Sequence, residues 1–343
     1  MLAAEAAANL GRMLGFVTAP LPSAPASASE RLALLGVLLT VFLWGANVVA
    51  LKAVLGVLNA ETTNTVRVLI AGSVLVALAV RADGWPRWDA RTWLAVVGVG
   101  LLGNTLFQAF FLTGINLNPA GVAGLVNGLV PVLVLPLGLL LGQGFTRRQG
   151  LGVAVAFAGL LGLLALTRVP GVSVTPTGLL WLLAAGVVWA LYTLFNRPLS
   201  ARLGTLPFVA FSLALGSVPY LLYALPHLHF SGESGTGVPP AVWLGIGFSA
   251  LGANVVAYLA WAGGARVLGA ARISVWQALA PVIALVLSAA LLHERLPASV
   301  WGLAAVILIG ATLANWPESG RVGRPMRKRD TVQGVNEKSP PLR

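Results

Sequence analysis

The sequence predicts an all-α integral membrane protein with ten transmembrane helices arranged as two inverted five-helix repeats. Three observations predict it. Hydrophobic residues make up 57% of the 343 and charged residues only 9%, whereas a soluble domain carries roughly 25% charged residues because its surface faces water. Apolar stretches of membrane-spanning length recur ten times along the chain. The two halves echo each other at a near-constant offset, and each half holds an odd number of spans.

This composition excludes a soluble enzyme and a disordered protein. With no Cys in the chain, it also excludes a disulfide-stapled scaffold, thiolate chemistry and Cys-type metal sites. The spans are read at 33–55, 62–80, 93–114, 119–142, 149–167, 178–196, 205–225, 241–263, 269–292 and 298–316. Each is close to the ~20 residues that cross ~30 Å of hydrocarbon at ~1.5 Å per residue. The runs are continuous rather than alternating with period two, so a β-barrel is excluded.

Residues 1–31 are rich in Ala, Ser and Pro and lack a basic start followed by a strong apolar run. They read as a disordered cytoplasmic leader rather than a signal peptide. Residues 317–343 read as a basic, disordered cytoplasmic tail. The repeats then occupy 32–168 and 169–316.

Cation placement sets the orientation. With the N-terminus inside, eighteen Lys and Arg fall in cytoplasmic segments. Only Lys52, Arg67, Arg168 and Arg295 fall outside or in the outer half. This predicts a multi-pass protein of the bacterial inner membrane with both termini cytoplasmic. It also accounts for the net charge of +12 without a nucleic-acid partner. The tail either touches anionic lipid headgroups or stays solvated. Monomer and homodimer are equally compatible with the sequence.

The internal repeat is visible in its polar positions. LLGNTLFQ (101–108) aligns with LGANVVAY (251–258) at an offset of 150, setting Asn104 over Asn254. The same offset sets AGLVNGLVPVL (123–133) over ISVWQALAPVI (273–283), matching Asn127 with Gln277 and Pro131 with Pro281. Trp44 matches Trp189 at an offset of 145. Because five is odd, the second half enters the membrane from the opposite side. Inverted repeats of this kind build alternating-access transporters, whose site lies near mid-membrane at the repeat interface.

Polar groups in hydrocarbon need partners or water. Asn47, Asn104, Asn127, Asn254 and Gln277 come from five helices at one depth, which suggests a shared polar cavity; helix-to-helix hydrogen bonding is the alternative use of such amides. Gln108 and Tyr258 lie one turn beyond Asn104 and Asn254, on the same faces. Proline has no N–H to give the carbonyl four residues back. Pro131 and Pro281 therefore free the carbonyls of Asn127 and Gln277, as hinges, cavity walls or packed kinks.

FLWGANVVALK (42–52), RVLIAG (67–72), the mid-helix prolines of spans four and nine, and LLHERLPASVWG (291–302) together resemble the EamA-type transporters of the drug/metabolite transporter superfamily. The resemblance covers about 32–316. It implies that spans one, three, four, six, eight and nine line the cavity, bringing Trp44, Trp189, Tyr192 and Trp276 to its walls. It further implies secondary transport of amino acids or related metabolites, with export as the direction, and no catalytic group or cofactor. Such families usually carry Gly-Glu-Arg after both the fourth and ninth spans. This chain has Gln143-Gly144-Phe145 in the first position and His293-Glu294-Arg295 in the second.

Lys52 and Arg67 are the cations of the first repeat's outer half. They read either as a carboxylate-attracting pair or as side chains snorkelling to headgroups. No Asp or Glu lies mid-span; Glu61, Glu233 and Glu294 sit at ends or in loops. Proton coupling through an intramembrane carboxylate is therefore disfavoured relative to facilitated export or exchange. His227, His229 and His293 lie outside the spans or at a span end, so an intramembrane hydrolase lacks its acid and base. A lipid-modifying enzyme and a non-transporting receptor or assembly factor are the readings set against transport. Spans five and ten are nearly free of polar groups and are expected to pack peripherally through Gly159 and Gly162, supplying no ligands.

Overall fold

The computed structural model describes residues 28–140, 142, 144, 146–169, 173–230, 237–268, 273 and 275–315. Most of the leader, the whole tail, and Gln143 and Phe145 after the fourth span lie outside the described residues.

Ten helical spans are present among them. They are α1 (Ala28–Leu55), α2 (Ala60–Asp83), α3 (Ala90–Leu117), α4 (Ala120–Leu140), α5 (Arg147–Leu166), α6 (Pro176–Leu203), α7 (Thr205–His227), α8 (Pro240–Leu268), α9 (Trp276–Leu291) and α10 (Ala298–Asn315). The first eight are long and apolar enough to cross a membrane, and α9 and α10 are shorter apolar helices. Helix α1 starts at Ala28, inside the expected leader, because Ala-Ser-Glu continues the helix and Glu30 favours its positive end. Helix α6 runs on to Leu203, carried past its apolar run by a polar turn containing Arg197 and Arg202.

Short polar residues set the helix starts, as N-caps do. The Asn59 side chain accepts from Thr62 N at 2.9 Å. Thr146 and Gln149 form a reciprocal capping box, and Thr175 accepts from Gly178 N at 3.1 Å ahead of Pro176. Asp89 accepts from Thr92 N at 3.2 Å. Its hydrogen bonding to Thr92 holds this exposed carboxyl below the usual carboxylate range. That cap is intact at neutral pH and is lost only as pH falls through the lowered value.

The helix contacts come in exchanged pairs. Helix α1 packs on α8 and α9, while α6 packs on α3 and α4; α2 meets α7, α4 meets α9, and α5 meets α10. Exchanging the two repeats maps every one of these contacts onto another or onto itself, as a two-fold relation between five-helix units requires. Large apolar side chains such as Leu94, Leu151, Leu180 and Leu244 remain exposed, which suits lipid and not water. The α5–α10 pair is a close backbone approach. A Cβ on Gly152 would meet Gly310 O at 2.7 Å, and the Cβ positions of Gly159 and Gly162 would meet Ile307 and Leu303, in keeping with the small-residue packing read from the sequence.

Four departures from regular α-helix surround the membrane centre. Leu101–Leu106 in α3 and Phe248–Val256 in α8 are π-helical, in register at the offset of 150 that aligns Asn104 with Asn254. Helix α4 breaks into a turn at Gly128 and Leu129, just before Pro131. The entry to α9 is a 3-10 turn at Val275–Ala278, before Pro281. Irregular backbone at membrane depth is tolerated where it is buried in protein or lines a water-filled cavity.

Candidate functional site

These breaks converge on one cavity of about 170 Å³, room for roughly six waters at ~30 Å³ each. Its walls draw on both large apolar clusters, with Phe107 and Phe111 from one and Val68, Leu75 and Val209 from the other. Asn47, Arg67, Asn104, Gln108, Asn127, Trp189, Tyr192, Asn254, Tyr258 and Gln277 all line it, as do Pro131 and Pro281. With Trp44, which also lines it, thirteen of the fifteen candidate residues read from the sequence meet in one place, Lys52 and Trp276 being the exceptions.

Trp276 does not. It is half-buried, and its neighbours Gln277 and Ala278 line the cavity in its stead. At about three residues per turn, successive side chains of the 3-10 entry point some 120° apart, so three consecutive residues cannot all face the cavity, and Trp276 is the one that does not. A second correction concerns α10, which brings Ala311 and Thr312 to the wall although it was expected to supply nothing polar. Ser212 of α7 is a third lining residue the sequence did not announce. It is one of two buried serines of that span, with Ser217.

The amides divide between two uses. Asn104 Nδ2 donates to Gly100 O and to Ser212 O, both at 3.1 Å, so it ties α3 to α7 as well as facing the cavity. Asn127, Asn254 and Gln277 stand at the cavity wall, and Asn47 Oδ1 is buried without a donor. The aromatic walls are built in layers. Trp44 donates through Nε1 to Ala253 O at 3.2 Å and packs against Tyr258 and Trp261 at 6.0 and 5.2 Å. On the opposite repeat, Trp189 packs against Phe107 at 4.5 Å and Tyr192 at 4.8 Å. Flat apolar faces with a few convergent polar groups suit a small amphipathic ligand.

Arg67 is 2% exposed. Its Nη2 donates to Asn64 Oδ1 at 2.7 Å and Gln108 Oε1 at 2.5 Å, and Nη1 reaches Ser249 Oγ at 3.4 Å. Lys52 does not join it. Lys52 Nζ donates to Ile115 O and Asn116 O, each at 2.9 Å, closing the last carbonyls of α3 rather than snorkelling. Beside it, Glu294 Oε1 accepts from Ala120 N at 2.7 Å and Oε2 from Gly121 N at 3.2 Å. The second-repeat Glu is thus an N-cap for α4 of the first repeat. Sequence reading had no signal for that contact beyond the motif itself. Among the described residues no three His, Asp or Glu gather as a metal site needs.

A family model of the EamA-like transporters matches residues 31–165 and 176–316. The uncharacterized transporter YvbV of Bacillus subtilis is 28% identical over 302 residues, covering 87% of this chain and 94% of its own. A probable terminal-alkyne amino-acid exporter of Streptantibioticus cattleyicolor is 30% identical over 296 residues, covering 83% of this chain and 96% of its own. A crystal structure at 24% identity has the same fold, with a TM-score of 0.56 over 84% of this chain and 97% of that one. The chain belongs to the EamA-like transporter family, and it is a multi-pass membrane protein, not an enzyme, that carries a small-molecule substrate.

Proposed function

We propose that the protein exports an amino acid or a related small amphipathic metabolite by alternating access, in a bacterial inner membrane with both termini cytoplasmic. The observation that carries this reading is the paired composition of the cavity. Asn104 is answered by Asn254, Asn127 by Gln277, Pro131 by Pro281 and Trp44 by Trp189. Matched walls drawn from two oppositely facing halves let one half rock against the other while the site stays near the centre. The amides of Asn47, Asn104, Gln108, Asn127, Asn254 and Gln277 offer both donors and acceptors. Trp189, Tyr192 and Tyr258 offer the apolar faces, and Pro131 and Pro281 serve as hinges. The exporter of Streptantibioticus cattleyicolor lends support to the substrate class and the direction.

The test is counterflow in proteoliposomes across the twenty amino acids, with and without an imposed pH gradient. Exchange of at least one amino acid is expected, at the same rate in both conditions, because no carboxylate lines the cavity among the described residues. A strict need for the gradient overturns facilitated export or exchange. Orientation has its own assay, helped by a chain that contains no Cys. A membrane-impermeant maleimide on intact cells is expected to label His227→Cys and to spare Arg87→Cys, both at exposed positions. The reverse pattern inverts the topology.

A further inference from the structure

We infer that Arg67 holds a carboxylate of the carried molecule and makes that group a condition of transport. The inference rests on the cavity being the transport site. Among the described residues that line it, Arg67 is the only one with a charged side chain. Its three acceptors are an Asn, a Gln and a Ser, all neutral, and its Nε is buried with no acceptor at all. A guanidinium taken out of water without a counter-charge is costly. A tie between α2, α3 and α8 needs only hydrogen-bond donors, which a neutral amide supplies without that cost. The charge itself therefore finds its use only when an anion enters.

Carboxylate is the anion that fits. One unit of negative charge neutralises the site, whereas a phosphate carries up to two and leaves an excess in an apolar cavity. Charge-assisted bonds from a guanidinium to a carboxylate are short and strong, and the fixed planar fork is pre-organised for them. Asn64 and Gln108 act as positioning residues by fixing Nη2 through two hydrogen bonds. Asn47 Oδ1, the other buried and unpartnered polar atom on the cavity wall, is an acceptor, suited to an N–H of the same molecule.

The experiment compares each amino acid found to exchange in the counterflow assay with its amide, which keeps the shape and loses the negative charge. Wild type is expected to carry the acid at least tenfold faster than the amide. Arg67→Gln is expected to bring the two within about twofold. Gln108→Glu sets a protein carboxylate against Nη2 while changing one atom, and is expected to lower the ratio of acid to amide transport at least tenfold. That variant and the wild-type comparison decide the matter even if Arg67→Gln fails to fold. Equal rates for acid and amide in wild type overturn the role of Arg67 and leave the transport reading standing. Absence of flux for every amino acid overturns the amino-acid reading of the proposed function, and this inference falls with it.

Discussion

Gly216→Val is expected to leave little folded transporter, and what survives is expected to have lost transport. The crossing of α3 and α7 is backbone on backbone. A Cβ on Gly216 would fall on the Cα, carbonyl carbon and oxygen of Gly100, and a Cβ on Gly100 would meet Gly216 Cα at 3.0 Å. Neither obstacle is a flexible side chain, so the helices themselves must separate. Their separation breaks two side-chain hydrogen bonds across the crossing, Asn104 Nδ2 to Ser212 O at 3.1 Å and Thr105 Oγ1 to Gly216 O at 2.6 Å. Overpacking of this kind costs about 1–3 kcal/mol, and each interhelical hydrogen bond in a membrane adds about 0.6 kcal/mol. The sum is a large share of the ~5–15 kcal/mol that separates folded from unfolded protein. Asn104 and Ser212 also line the cavity, so even a folded variant has a displaced wall. Thermal unfolding in detergent and counterflow measure the two effects. Leu215→Val, at an exposed position one residue away, serves as the control expected to shift neither. Wild-type behaviour of Gly216→Val shows that the crossing has slack that its backbone contacts do not suggest.

How far the sequence carries this structure depends on the kind of signal involved. Span number is written in the length of apolar runs, because the bilayer imposes one length on every helix. The repeat is written in Asn104, Asn127 and Pro131 and their counterparts, because polar and proline residues are rare enough in apolar helices for coincident spacing to mean something. The π-helical turns at Leu101–Leu106 and Phe248–Val256 leave no comparable trace. One residue too many in a turn changes neither composition nor the run of apolar residues. Trp276 was placed on the wall because the resemblance makes its span line the cavity, and that does not say which residues of the 3-10 turn before Leu279 face inward. Ser212 and Thr312 carry no distinguishing signal because a hydroxyl in an apolar span has several ordinary uses, and only coordinates reveal which way it faces. Lys52 and Glu294 show the limit most clearly. Their partners are backbone atoms of residues more than sixty positions away, and a backbone partner carries no residue-type signal.

Those two charges support the second large effect, expected for Glu294→Ala. Helix α4 starts at Ala120, directly after Pro119, with Ala120 fully buried. The first N–H groups of a helix have no partner within it, and Pro119 contributes no capping side chain. Glu294 meets that need from the other repeat by accepting from both Ala120 N and Gly121 N, with its negative charge at the positive end of the helix. On the preceding strut the polarity is reversed. Lys52 places its ammonium on the last carbonyls of α3, so the α3–α4 corner is closed by a cation on one side and an anion on the other. Both belong to helices or loops outside that corner. Truncation to Ala strands two donors, each costing about 1–3 kcal/mol when buried without an acceptor. Glu294→Gln retains one acceptor oxygen and is expected to recover roughly half the loss, which separates hydrogen bonding from charge. The aligned position of the first repeat is Gly144, which has no side chain to offer, so no symmetric carboxylate stands in for the lost one. Lys52→Gln combined with Glu294→Ala is expected to cost less than the sum of the two singles, because both act on one corner. Unfolding temperature and counterflow in the four proteins of that cycle provide the measurement. Additive losses show that α3 and α4 are held by independent anchors, and an unshifted Glu294→Ala shows that other groups suffice to hold the start of α4.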